Sequence, residues 1–208
     1  MYLNGICFIT ARKESSLTLK EIVTIVLSSG VRCIQYREKD KSRRDIYREA
    51  SILRKLTTEF GAIFVVNDYA DIALAVNADG VHLGQDDLPL KEARKILGKE
   101  KIIGISTHSI EQAIEAEQGG ASYIGFGPIF HTKTKDAGEP KGIEMLKEVK
   151  RHIKIPVIAI GGINIENLRS VIDSGADAVA VSSAIIQGDI AENITCFLKV
   201  LYRENQII

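Results

Sequence analysis

Gly120-Ala-Ser-Tyr-Ile-Gly-Phe-Gly127 ends a helix, turns on small residues and starts a strand, and two other stretches repeat the design. They are Asn77-Ala-Asp-Gly-Val-His-Leu-Gly84 and Gly175-Ala-Asp-Ala-Val-Ala-Val-Ser182. Working outward, short runs rich in Val and Ile recur at 6–10, 33–37, 63–67, 80–83, 102–106, 123–127, 157–161 and 178–182. Between them, 18–27, 45–60, 110–118 and 165–174 carry apolar residues at three- and four-residue spacing. This alternation is the mark of βα units around a parallel sheet. Eight units in 208 residues predict a single-domain (β/α)8 TIM barrel over 1–208, for which about 200 to 250 residues is usual. A doubly wound open sheet is the alternative.

Bulk composition narrows the function. Lys plus Arg and Asp plus Glu are equal at 27 each, so no global basic field points to nucleic acid or an anionic membrane. No apolar run approaches the roughly 18 residues of a membrane helix, and residues 1–10 lack a basic leader. A cytoplasmic protein is expected. Cys7, Cys33 and Cys196 are odd in number and set among apolar neighbours, which predicts three reduced, buried thiols. A homodimer is compatible with the sequence, which does not fix the number of copies.

A barrel gathers its chemistry on the loops after the strands, so those loops become one site. After the second run, Gln35, Arg37 and Lys39 alternate onto one side and suit a polyphosphate. Asp68 and Asp87 follow adjacent strands and suit Mg2+, which takes one or two protein carboxylates and completes its shell with water and phosphate oxygens. Asp86 competes with Asp87, and one of the two would cap the helix near Leu90. Ser106 is placed to meet a ligand, whereas Ser109 with Gln112 three residues on reads as a capping box. His82 faces the interior as either a core or a catalytic histidine.

Gly161 and Gly162 together with Ser182 and Ser183 expose amides and hydroxyls at a helix N-terminus, a phosphate-monoester pocket. The segment 125–142, with Thr132, Thr134 and several lysines between glycines and prolines, grips an anion. Two phosphate regions imply two small phosphorylated substrates. One carries a diphosphate and the other a monophosphate, which describes group transfer with loss of pyrophosphate.

The motifs Gln-Tyr-Arg-Glu-Lys39, Asn-Asp68, His-Leu-Gly-Gln-Asp-Asp87, Gly-Ile-Ser-Thr-His-Ser109, Gly-Pro-Ile-Phe-His-Thr-Lys-Thr-Lys135, Ile-Gly-Gly-Ile163 and Val-Ser-Ser-Ala-Ile185 stand in family order and spacing. Along nearly its whole length the chain resembles the thiamine-phosphate synthase family. The resemblance implies condensation of 4-amino-2-methyl-5-hydroxymethylpyrimidine diphosphate with 4-methyl-5-(2-hydroxyethyl)thiazole phosphate, giving thiamine phosphate and pyrophosphate by a dissociative, Mg-assisted route. It assigns Gln35, Tyr36, Arg37, Glu38, Lys39, Asn67, Ser106 and Lys135 to the pyrimidine diphosphate, with Arg37, Lys39 and Lys135 catalytic. Asp68 and Asp87 would hold Mg2+. Thr132, Lys133, Thr134, Gly162, Ser182 and Ser183 would line the thiazole phosphate, the Lys133 ammonium and Lys141 facing solvent. Ala11 and Tyr69 depart from common family residues. The rivals are a thiazole tautomerase and a non-catalytic barrel that binds thiazole phosphate, and the two aspartates argue against both.

Overall fold

The computed structural model describes residues 4–10, 16–132 and 138–202. Its strands are β1 (Gly5–Ile9), β2 (Cys33–Tyr36), β3 (Ile63–Asn67), β4 (Gly80–Leu83), β5 (Ile102–Thr107), β6 (Tyr123–Phe126), β7 (Val157–Ile160) and β8 (Ala178–Val181). Each pairs in parallel with the next and β8 pairs with β1, closing a barrel. Helices alternate with them: α1 (Leu19–Ser28), α2 (Arg43–Glu59), α3 (Ala70–Ala75), α4 (Leu90–Leu97), α5 (Ile110–Gln118), α6 (Gly142–His152) and α7 (Leu168–Asp173), then α8 (Ser183–Ile186) and α9 (Ile190–Tyr202) after β8. The (β/α)8 expectation holds and the open sheet is excluded.

The threefold sequence repeat has a physical cause. Its first residue, Asn77, Gly120 or Gly175, takes a left-handed φ of 53°, 85° or 92° and ends the preceding helix. In the first two copies the second residue, Ala78 or Ala121, donates back to that helix at Ala73 O (2.8 Å) or Ala116 O (3.0 Å). The third residue bonds the neighbouring strand with both backbone and side chain. Asp79 donates its N–H to Phe64 O (2.9 Å) while its carboxylate accepts from Phe64 N–H (2.7 Å). Ser122 does the same with Ile103, and Asp177 with Val157. Each repeat thus ties a new strand to the foot of the one before.

Strand alternation sorts the side chains into two layers. Phe8, Ile34, Phe64, Ile124 and Phe126 pack outward under the helices. Cys7, Ile9, Cys33, Tyr123, Ile158 and Ala180 fill the lower interior. Above these, Gln35, Asn67 and His82 are buried polar residues pointing toward the carboxyl end.

Three sequence expectations are corrected at this level. Cys7 and Cys33 are buried free thiols 3.2 Å apart, but Cys196 on α9 is exposed. The α7 helix starts at Leu168 because Asn164 and Asn167 side chains capture backbone N–H groups at 164, 166 and 167, holding a turn there. At α5, Ser109 accepts from Gln112 N–H (3.3 Å), but Gln112 Oε1 takes the N–H of His108 (2.7 Å), so the box is not reciprocal. The reciprocal box is at α1, where Thr18 and Glu21 bond each other's backbone N–H.

Candidate active site

The loops at the carboxyl ends of β2, β3 and β4 build one charged cluster. Gln35 Nε2 donates to Asn67 Oδ1 (2.7 Å), and Asn67 Nδ2 then donates to Asp68 Oδ1 (2.5 Å). Asp68 sits just past β3 at a left-handed φ of 66°, a conformation aspartate tolerates and most residues avoid. Its other oxygen meets Lys39 Nζ at 2.6 Å. Asp87 reaches the same place from the β4 loop, its Oδ2 held by Gly84 N–H (2.6 Å).

Burial pushes the Asp68 carboxyl above its usual range, the Lys39 ammonium opposes that, and contact with Asp87 adds to the rise. Two carboxylates pressed together in a partly desolvated site call for a cation. Among the described residues no group of three or more His, Cys, Asp or Glu forms a closed metal cage. A pair fits Mg2+, whose remaining positions go to water and phosphate oxygens.

Of the two aspartates on the β4 loop, Asp87 meets Asp68. Asp86 is exposed, whereas Asp87 is half-buried. The α4 N-cap is Pro89 with no side-chain cap bond, so neither aspartate caps that helix.

The segment 35–39 divides. Gln35 points into the barrel and is buried. Arg37 has its backbone pinned by Thr10, whose Oγ1 accepts from Arg37 N–H (2.9 Å) and donates to Arg37 O (3.2 Å). Lys39 lies at the mouth on Asp68. Two side chains of the segment turn away from the mouth. Tyr36 faces outward, its hydroxyl donating to Glu49 of α2 (2.7 Å), and so turns its back on the mouth. The Glu38 carboxylate accepts the N–H groups of Lys39 and Asp40, both at 2.9 Å, and stands 3.5 Å from Lys41. That carboxylate folds the loop.

Across the mouth, β6, β7 and β8 build the second region. Ile129 and Phe130 donate to Ile160 O (2.8 Å) and Gly161 O (3.0 Å), so the loop after β6 lies along the end of β7. A Cβ on Gly162 would stand 2.4 Å from His131 O, which leaves room there for glycine alone. Ser182 Oγ is buried with no hydrogen-bond partner among the described residues. An orphaned hydroxyl beside the start of α8 is a donor lacking its acceptor, as an absent phosphate would leave it. Ser183 opens α8, and Thr132 is half-buried on the facing loop. Lys133, Thr134 and Lys135 lie outside the described residues, as does Ala11.

Sequence reasoning missed Thr10 and Tyr123 and left His82 open. Ser106 Oγ lies 2.9 Å from His82 Nε2, and His82 Nδ1 lies 3.0 Å from the Tyr123 hydroxyl. Alternation along β4, β5 and β6 sends all three inward, which is the signal that finds them. Tyr69 meets Arg43, whose guanidinium lies 4.9 Å from its ring centroid.

Comparison with known proteins identifies the family. The family model for thiamine monophosphate synthase matches residues 6–185. A thiamine-phosphate synthase from Methanosarcina barkeri is 49% identical over 195 residues, covering 91% of this chain and 88% of the relative. One from Lawsonia intracellularis is 52% identical over 167 residues, covering 80% and 77%. The solved thiamine phosphate pyrophosphorylase of Pyrococcus furiosus superposes with a TM-score of 0.88 at 38% identity, covering 96% of both chains.

Proposed function

The chain belongs to the thiamine monophosphate synthase family, and from that premise we infer that it is a transferase joining a pyrimidine diphosphate to a thiazole phosphate with release of pyrophosphate. The products are thiamine phosphate and pyrophosphate. The observation that carries the reading is the paired Asp68 and Asp87 carboxylates beside Lys39, set across the mouth from the orphaned Ser182 hydroxyl. One region suits a highly charged leaving group and the other a monoester handle.

Asp68 and Asp87 would hold Mg2+, which when bound neutralises charge on the diphosphate. Arg37 and Lys39 bind and orient that group, and their charges oppose the negative charge growing on it as the C–O bond breaks. Lys135 is assigned the same work. Gln35 and Asn67 fix the direction of Asp68 from below, so the site is organised before substrate arrives. On the far side, Gly162, Ser182 and Ser183, with Thr132 to Thr134, hold the thiazole phosphate. Bond breaking precedes capture by the thiazole nitrogen, so the reaction needs no protein nucleophile.

The test is pyrophosphate release from the two substrates with Mg2+, run beside Asp68→Ala. Turnover by the wild-type chain and a loss of two to three decades in the variant are expected, about 3 to 4 kcal/mol of barrier. Isomerised thiazole without pyrophosphate, or binding without turnover, refutes the reading.

A further inference from the structure

Below the mouth, Tyr123, His82 and Ser106 form a hydrogen-bonded chain rising through the barrel. Tyr123 is 2% exposed and His82 7%. Their rings stack with centroids 5.5 Å apart. Two inward glycines make the space. A Cβ at Gly104 would fall 2.1 Å from Tyr123 Cζ, and one at Gly125 would stand 3.0 Å from His82 Cε1.

The protons in this chain can be placed by accounting. Burial pushes the Tyr123 phenol well above its ordinary range, so it keeps its proton. It belongs to a buried cluster with Cys7, Cys33, Ile9, Ile158, Ala178 and Ala180. Among the described residues its hydroxyl has one hydrogen-bond partner, His82 Nδ1, at 3.0 Å. A neutral imidazole has one donor and one acceptor nitrogen. With a proton on Nδ1, the ring would donate to Tyr123 and strand the phenol proton among thiols and aliphatic carbons, which a buried donor does not tolerate. Tyr123 therefore donates to Nδ1 and the ring proton sits on Nε2. That N–H donates to Ser106 Oγ over 2.9 Å. The Ser106 hydroxyl accepts from below, and its own hydrogen is turned toward the mouth. Gln85 Nε2 donates to Ser106 O (2.6 Å), which fixes the backbone carrying that hydroxyl.

We propose that Tyr123 and His82 are positioning residues that set Ser106 as a hydrogen-bond donor at the barrel mouth, so that the ligand group beside it must be a lone-pair acceptor. The acceptor is a ring nitrogen or a phosphate oxygen of the diphosphate substrate, and this identity rests on the reaction inferred above. The polarity of Ser106 does not rest on it, since it follows from the free protein alone.

The decisive measurement is the tautomer of His82. Long-range 1H–15N correlation spectra of the ligand-free protein with 15N-labelled histidine separate the four histidines, and His82→Asn identifies the signal. A neutral ring protonated on Nε2 is expected. A proton on Nδ1, or on both nitrogens, overturns the proposal whether or not the chain turns over the two substrates. In kinetics, Tyr123→Phe is expected to lower kcat/KM for the diphosphate substrate about tenfold and leave KM for the thiazole phosphate unchanged. Placed in a Ser106→Ala background, Tyr123→Phe should cost less than twofold, because its effect passes through the serine. Additive losses overturn the relay. Binding of Mg2+ with inorganic pyrophosphate, and separately of the unphosphorylated pyrimidine alcohol, identifies the acceptor: Ser106→Ala weakens the one whose atom takes the bond. If it weakens neither, Ser106 meets no ligand acceptor and the proposal fails.

Discussion

Asp79→Ala should damage the fold and spare the chemistry. The Asp79 Oδ2 atom accepts from Phe64 N–H at 2.7 Å and from Arg54 at 2.6 Å, with the side chains of Arg54 and Asp79 only 22% and 28% exposed. Alanine leaves the Phe64 N–H, at the foot of β3, without its acceptor, which costs about 1 to 3 kcal/mol. It also removes an ion pair worth about 1 kcal/mol at such a partly screened position. Together these come to about 3 kcal/mol, or roughly 6 to 12 °C in melting temperature for a chain of this size. Asp79→Asn retains an acceptor oxygen and should lose about a third as much. The assay is a thermal or urea melt of the three proteins, paired with steady-state kinetics at 25 °C. A melt shifted by less than about 1 °C for Asp79→Ala would refute the claim that the repeat residue ties β4 to β3. A several-fold drop in kcat/KM in a fully folded variant would refute the separation of the barrel's foot from its mouth.

Other expectations concern the mouth. Because the Asp68 carboxyl titrates above its ordinary range in the folded chain, the native state binds that proton more tightly than the unfolded state does. Stability is therefore lost as pH rises from near 3.8 through the raised folded value. Asp68→Asn should accordingly melt higher than wild type at pH 7 in metal-free buffer, the advantage shrinking toward pH 4. Mg2+ should stabilise wild type and leave the variant unmoved, and an advantage that grows on acidification would contradict this. Glu49→Gln weakens the support behind the Arg37–Lys39 loop, since Glu49 accepts from Tyr36 and pairs with Lys41, which also stands 3.5 Å from Glu38. A three- to tenfold rise in KM for the diphosphate substrate is expected, about 0.6 to 1.4 kcal/mol. An unchanged KM would mean the loop holds itself.

The barrel was legible because its signals are local and redundant. The left-handed residue, the helix end and the strand start recur together at 77–80, 120–123 and 175–178, and one instance supports the next. The site was legible only as far as strand alternation reached. Gln35 points inward, so the same rule turns the Tyr36 side chain outward. Beyond Tyr36 the strand ends, and alternation says nothing about Arg37, Glu38 or Lys39. Where Glu38 turns depends on backbone N–H groups its own loop exposes. The choice between Asp86 and Asp87 likewise depends on a turn in which Gly84 N–H reaches back to the second carboxylate.

The barrel interior changes character from foot to mouth, and this ordering explains how a strained, charged site is sustained. At the foot lie thiols and aliphatic side chains around Tyr123. Above them come neutral amides and an imidazole, each with donors and acceptors matched: Gln35 to Asn67, and Tyr123 to His82 to Ser106. The charges of Lys39, Asp68 and Asp87 stand last, where water and ligand reach them. The neutral layer supports the charged one directly. Gln35 donates to Asn67 Oδ1 and so orients the Asn67 amide with its N–H groups toward Asp68, and His82 O takes the Asp68 N–H at 2.8 Å. These bonds hold a residue at a positive φ that costs of order 1 kcal/mol or more to maintain. Asp68 owes its direction to the neutral residues beneath it, so a change in the layer below would misplace the carboxylate without removing a charge.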